Sequence, residues 1–138
     1  MFYSDSVNNQ ILQISSVDAY SILSSCKDSY LIDVRTYEEW ALIGVPDLKS
    51  PCNGAIRLSW RFAPDMKINK DFVQELSRLI LNKTDKLLFL CRSGGRSLEA
   101  ATAMNNNEYA NCYNITDGFE GSTVEYSGWQ ASNLPWRK

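Results

Sequence analysis

Histidine is missing from all 138 residues of this chain. Its absence removes Ser-His-Asp and Cys-His catalysis, and with them the usual histidine-containing zinc sites. Positive charge is not in excess either. The 14 Lys and Arg against 16 Asp and Glu leave a net charge of −2, so no basic surface recommends a nucleic acid or an anionic membrane as partner. No apolar run approaches the ~18 residues needed to span a bilayer. Met1 to Gln10 lacks the basic-then-apolar order of a secretory leader, and the cytoplasm is the expected location. The four cysteines, Cys26, Cys52, Cys91 and Cys112, are widely separated and form no Cys-x-x-Cys pair. That spacing points to reduced thiols and away from a disulfide framework. No metal and no cofactor is implied.

What is present is the material of one ordinary domain, spanning 1–138. An apolar fraction of 44% is enough to bury a core, and no linker, repeat or low-complexity tract divides the chain. Strands alternate with helices along it. Ser15 and Asp18 have the spacing of a capping box, opening a helix that runs to about 26 and buries Val17, Tyr20, Ile22 and Leu23. An apolar strand follows over 30–34, and Thr36 caps a short helix whose first turn holds Glu38 and Glu39, both expected in solvent. A turn-rich stretch fills 44–54, and 55–58 reads as a strand. Asn69 is placed to cap the clearest helix, with Phe72, Val73, Leu76, Leu79 and Ile80 on one face. A buried strand over 86–90, a helix over 97–107 with Leu98, Ala101 and Met104 inward, and a strand over 112–115 complete the pattern. Such alternation predicts an α/β fold with a central, mainly parallel sheet and helices on both faces. In such sheets ligands bind beyond the carboxyl ends of the strands, which puts Arg35 and Cys91 on the same rim.

The most informative segment is Cys91-Arg92-Ser93-Gly94-Gly95-Arg96-Ser97, set between the apolar run Leu87-Leu88-Phe89-Leu90 and a helix-like stretch. A buried strand thus delivers a cysteine into a glycine-rich, doubly basic turn at the start of a helix. Backbone N–H groups of such a turn can converge on one anion, and the helix adds unpaired N–H groups and the positive end of its dipole. These surroundings suit a thiolate, and hence a nucleophile at neutral pH. With no histidine available, activation must come from dipoles and arginines.

Three stretches in order resemble the signatures of the rhodanese-like superfamily. Asp33-Val34-Arg35 with Glu38-Glu39-Trp40 is similar to the first; Cys91 to Ser97 matches the active-site loop; Asp117-Gly118-Phe119-Glu120-Gly121, with Gly128-Trp129 and Leu134-Pro135-Trp136, is similar to the C-terminal pattern. One departure is visible. Where many members have a compact His-Ile-Pro-Gly-Ala turn, this chain has Gly44-Val45-Pro46 and then seven residues before Gly54-Ala55. That longer loop is expected near the rim, and Cys52 within it is a candidate resolving thiol.

The resemblance implies a single-domain sulfurtransferase of the thiosulfate type. Cys91 would take a sulfane sulfur from a donor such as thiosulfate as a persulfide, and a thiol, a protein acceptor or cyanide would remove it. Small sulfur-containing substrates are therefore the expected partners. Arg92, Ser93, Gly94, Gly95, Arg96 and Ser97 form the binding loop. Arg92 and Arg96 are candidates for gripping an oxyanion, with a salt bridge as the alternative for Arg96. Asp33 and Arg35 are supporting residues. Arg35 either points into the site or, as preferred here, fixes the strand-to-helix turn through a buried ion pair. Trp40 and Trp60 are expected in the core. Two other readings stand beside this one: a cysteine phosphatase or arsenate reductase on the same fold, and a non-catalytic interaction module. Phosphatase loops place five residues between cysteine and arginine, whereas four stand here, and interaction modules typically lose the cysteine.

Overall fold

The computed structural model describes residues 10–122 and 127–138. The expected absence of a leader falls mainly on residues 1–9, which lie outside the described residues. Chain order is β1 (Leu12–Ile14), α1 (Ser16–Ser25), β2 (Ser29–Asp33), α2 (Tyr37–Leu42), β3 (Val45–Pro46), β4 (Ile56–Arg57), β5 (Arg61–Phe62) and β6 (Lys67–Ile68). Then come α3 (Phe72–Leu79), β7 (Lys86–Leu90), α4 (Gly95–Asn105), β8 (Asn111–Ile115) and β9 (Trp136–Arg137). Five strands form a sheet in the order β1-β8-β7-β2-β4, and every pairing in it is parallel.

The apolar run of β7 explains the layers. Because side chains alternate across a strand, Leu87 and Phe89 enter one core with Phe72, Leu76 and Ile80 from the α3 segment and Ala100, Ala101 and Met104 of α4. Leu88 and Leu90 enter the other, with Ala19 and Leu23 of α1 and with Phe119 and Trp129. A strand buried on both faces reads as a continuous apolar run, and helices therefore cover both faces.

Helix faces differ from expectation at three positions, each for a tertiary reason. Val17 is 53% exposed. The start of α1 is tied down instead by Ser16, whose N–H and Oγ both donate to the Asp117 carboxylate at 2.9 Å, and this turns Ala19 and Leu23 inward. Leu98 is partly exposed because the buried face of α4 is set by Ser97 and continues through Ala100, Ala101 and Met104. Leu79 points out because Phe72, Leu76 and Ile80 alone follow the i, i+4 row. Asn69 does not cap α3. Its Oδ1 accepts from the Asp71 N–H at 3.0 Å, while its Nδ2 donates to the Ser59 carbonyl, anchoring the approach to the helix.

Two small antiparallel pairs, β3 with β9 and β5 with β6, lie outside the main sheet. The first brings Leu134-Pro135-Trp136 back onto the Gly44–Pro46 turn. The long loop that follows does not stay at the rim. Asn53 Nδ2 donates to the carbonyls of Lys27 and Ser29 at 2.8 Å, which places Cys52 and Asn53 at the amino end of β2, opposite Cys91. Cys52 is accordingly not positioned as a resolving thiol.

Candidate active site

β2 and β7 are paired in register, with Asp33 beside Leu90, so Arg35 and Cys91 leave the sheet at the same rim. Cys91 is only 1% exposed. Its Sγ lies 3.1 Å from the Gly94 N–H and 3.2 Å from Ser97 Oγ. Gly94, at φ +105°, allows the chain to fold its N–H back toward the sulfur, and α4 begins immediately after it. A second turn supports the loop from below. Phe119 N–H donates to the Cys91 carbonyl at 2.8 Å and Glu120 N–H to the Arg92 carbonyl at 3.0 Å. Gly118, at φ +62°, permits that approach, since a Cβ there would run into the Arg92 carbonyl.

The charged groups are arranged as follows. Arg96 takes the salt bridge that stood as the alternative to an anion grip. Its two terminal nitrogens reach the Glu39 carboxylate at 2.7 and 2.9 Å, a bidentate pair in which both side chains are mostly buried. Glu39 is thus not in solvent as expected. It also accepts from the Thr36 N–H and Oγ1, closing a capping box on α2. Burial alone would push the Glu39 carboxyl up, but the hydrogen bonds from Arg96 and Thr36 outweigh it and hold the group at about 2. The same pair holds Arg96 above its ordinary value through its hydrogen bond to Glu39, with further attraction from Cys91.

Glu39 therefore contributes stability that is fully present above its unfolded value near 4.5 and is lost as pH falls toward 2. Glu39→Gln is expected to cost about 2 kcal/mol at neutral pH, less than a fully buried pair because the site is partly open. The difference from the native protein should shrink below pH ~4 and vanish near 2 in chemical denaturation.

Asp33 and Arg35 form a fully buried pair, with contacts of 2.9 and 2.8 Å, and Arg35 also donates to the Gly44 carbonyl at 2.8 Å. The Arg35 guanidinium lies 4.1 Å from the Phe119 ring centroid. These contacts fix the strand-to-helix turn and hold Arg35 against the turn beneath the loop. Arg92 is 65% exposed, with a single long contact of 3.6 Å to Glu120, so its charge is available at the loop surface. A cavity of about 360 Å³ opens there, lined among the described residues by Arg92, Ser93, Gly121 and Ser122. Gly95, the first residue of α4, is exposed.

Trp60 is in the core, edge-on to Phe72, and its indole N–H donates to Glu99 at 2.8 Å. Trp40 departs from expectation: it is half-buried and lines a second cavity on the rim, of about 440 Å³, with Tyr37, Arg57 and Phe62. All four cysteines are free, and burial pushes the Cys112 thiol up to about 12. Among the described residues, no group of three or more Cys, Asp or Glu side chains could hold a metal ion.

One neighbour of the sulfur escapes a reading of the sequence. Asn114, next to the carboxyl end of β8 and 3% exposed, accepts from Ser97 Oγ at 2.6 Å. Its only signal in the sequence is an asparagine between Tyr113 and Ile115 of a short strand. The whole arrangement can hold a negative charge on Cys91 or on an atom bound to it, using backbone dipoles, a helix start and one flanking arginine.

Comparison with known proteins finds relatives over most of the chain. Residues 12–138 match the family described as the STR4 middle domain. An uncharacterised protein of Rickettsia conorii is 43% identical, over 92% of this chain and 98% of that protein. Thiosulfate sulfurtransferase 16 of Arabidopsis thaliana, a chloroplastic protein, is 30% identical over 75% of this chain and 76% of its own length. The crystal structure of Rv0390 from M. tuberculosis superposes with a TM-score of 0.80 at 36% identity, covering 91% of this chain and 96% of that one.

Proposed function

Since the chain belongs to the rhodanese-like superfamily, we propose that it is a sulfurtransferase that carries a sulfane sulfur on Cys91. The observation behind this reading is the Cys91 sulfur held 3.1 Å from the Gly94 N–H at the start of α4. The Cys91 thiolate attacks the outer sulfur of a donor such as thiosulfate. A sulfur–sulfur bond forms, the donor's own breaks, and its electron pair leaves on sulfite. The resulting persulfide has its terminal negative sulfur within the loop, where N–H groups stabilise it. A thiol or cyanide then attacks that terminal sulfur, the new bond to Cys91 breaks, and the thiolate returns. Both leaving groups are stable anions, so no proton donor is needed, in keeping with a site that has no histidine. Only four residues separate Cys91 from Arg96, a loop too tight for a tetrahedral phosphate. The free cysteines suit a reducing compartment such as the cytoplasm.

Intact-protein mass spectrometry tests the reading. Thiosulfate should add the mass of one sulfur atom, and cyanide should remove it with formation of thiocyanate. A chain whose mass thiosulfate leaves unchanged, with persulfide and polysulfide donors equally without effect, would exclude it.

Arg92 is the group proposed to meet the sulfonate of thiosulfate, because it is exposed beside the loop while Arg96 is committed to Glu39. Arg92→Ala should raise KM for thiosulfate about tenfold and lower kcat much less, as loss of uniform binding does. An unchanged KM would show that the guanidinium takes no part in donor recognition.

A further inference from the structure

Ser97 has one hydroxyl proton and two neighbours that want it. At 2.6 Å its Oγ donates to Asn114 Oδ1, and at 3.2 Å the same oxygen meets Cys91 Sγ. With the proton on Asn114, Ser97 presents only a lone pair to the sulfur, an arrangement that suits a thiol donating to it. A thiolate needs the opposite: the Ser97 proton turned onto sulfur, which leaves Asn114 Oδ1 without its donor. Asn114 cannot answer by turning its amide over. Its Nδ2 donates to Gln13 Oε1 at 2.9 Å and to the Gly94 carbonyl at 3.1 Å, and a flip would set its oxygen against the Gly94 carbonyl, a backbone acceptor that cannot turn. These groups are nearly all buried, so an unmet acceptor is costly.

We propose that Asn114 is a positioning residue that holds the Ser97 hydroxyl proton away from Cys91 and so restrains formation of the thiolate. The Gly94 carbonyl fixes the amide in that orientation, and Gln13, from the neighbouring edge strand β1, adds a second acceptor that favours it. The inference rests on the sulfurtransferase reading for its consequence, since it sets how much thiolate is ready to accept sulfur. The charged groups around Cys91 are Arg96 of α4, paired with Glu39 of α2, Arg92 of the loop, paired with Glu120, and Asp33 at the end of β2, paired with Arg35. None is altered in the variants below, so a change in titration reports the hydroxyl.

The measurement is the ultraviolet absorbance of the Cys91 thiolate against pH, taken as the difference from a Cys91→Ser protein carrying the same second substitution. Asn114→Leu removes the competing acceptor and frees the Ser97 proton for sulfur. The titration midpoint should fall by about one pH unit, a tenfold gain in thiolate below the midpoint. In a Ser97→Ala background the same Asn114→Leu change should leave the midpoint where Ser97→Ala alone puts it, because the effect runs through the hydroxyl. Gln13 is exposed, so Gln13→Leu keeps the fold even where Asn114→Leu does not. It should lower the midpoint in the same direction by a smaller step, again only when Ser97 is present. A midpoint that stays or rises in these variants, or one that falls equally without Ser97, overturns the proposal. The titration needs no sulfur donor. Failure of thiosulfate to load the native protein would therefore count against the sulfurtransferase reading alone, and an unaltered titration in a protein that loads normally would count against this inference alone.

Discussion

Replacing Cys91 by serine is expected to abolish sulfur loading and thiocyanate formation, with a loss of at least about a thousandfold, as for removal of other catalytic nucleophiles. A hydroxyl in the same place stays protonated at neutral pH and forms no persulfide. Serine is close in size and can keep the contacts to Gly94 and Ser97, so the folded protein should remain. No other cysteine is placed to substitute. Cys112 is buried, and its thiol is pushed up to about 12, which leaves it inert. Cys26 sits at the end of α1, and Cys52 lies near Ser24 toward the amino end of β2, across the sheet from the loop. Cys26→Ser and Cys52→Ser should accordingly load sulfur as the native chain does. Sulfur retained on a Cys91→Ser protein would move the carrier elsewhere.

Two adjacent glycines should respond in opposite ways. Gly94 has φ +105°, and a Cβ added there would lie 2.5 Å from the Thr116 carbonyl oxygen. Alanine at this position carries a backbone penalty of ~1–3 kcal/mol before the clash is counted. Relief requires the loop to shift, and the Gly94 N–H that reaches Cys91 Sγ shifts with it. Gly94→Ala should thus lower stability by several kcal/mol and slow thiocyanate formation about a hundredfold, the usual effect of displacing one anion-stabilising donor. Gly95 is the first residue of α4, and nothing lies within 4 Å of a Cβ added to it. Gly95→Ala should add ~0.4–1 kcal/mol of stability by narrowing the unfolded ensemble, with sulfur transfer kept. Urea denaturation and the thiocyanate assay separate the two. Equal behaviour would mean that Gly94 is not held at a positive φ against the Thr116 carbonyl.

The parts that local rules govern were legible in the chain itself. A run of four apolar residues buried on both faces specifies β7, and the seven residues after it carry the cysteine, the glycines and the helix start in one contiguous piece. The N-caps at Ser15 and Thr36 likewise act over three residues, and both cap bonds are present, although the reciprocal bond of a capping box forms at Thr36 with Glu39 and not at Ser15 with Asp18. The missing histidines bear on mechanism without any structure at all.

Choices among distant partners were not legible. Whether Arg96 takes a substrate anion or Glu39 depends on two elements 57 positions apart meeting at one rim, and only the parallel pairing of β2 with β7 brings that about. The face of α1 follows from Asp117, which is 101 positions from Ser16, and not from the helix's own apolar spacing. β1 is three residues long with no buried apolar row of its own, so backbone pairing with β8 defines it. Asn114 appears in the sequence as one of two asparagines in a five-residue strand. Its importance arises because strand order sets β8 beside β7, and a short buried hydrogen bond then has to be shared between an amide and a thiol. Sequence encodes such groups one at a time. The tertiary fold decides which of them compete for the same proton, because in a buried site each donor must find an acceptor among the few atoms within reach.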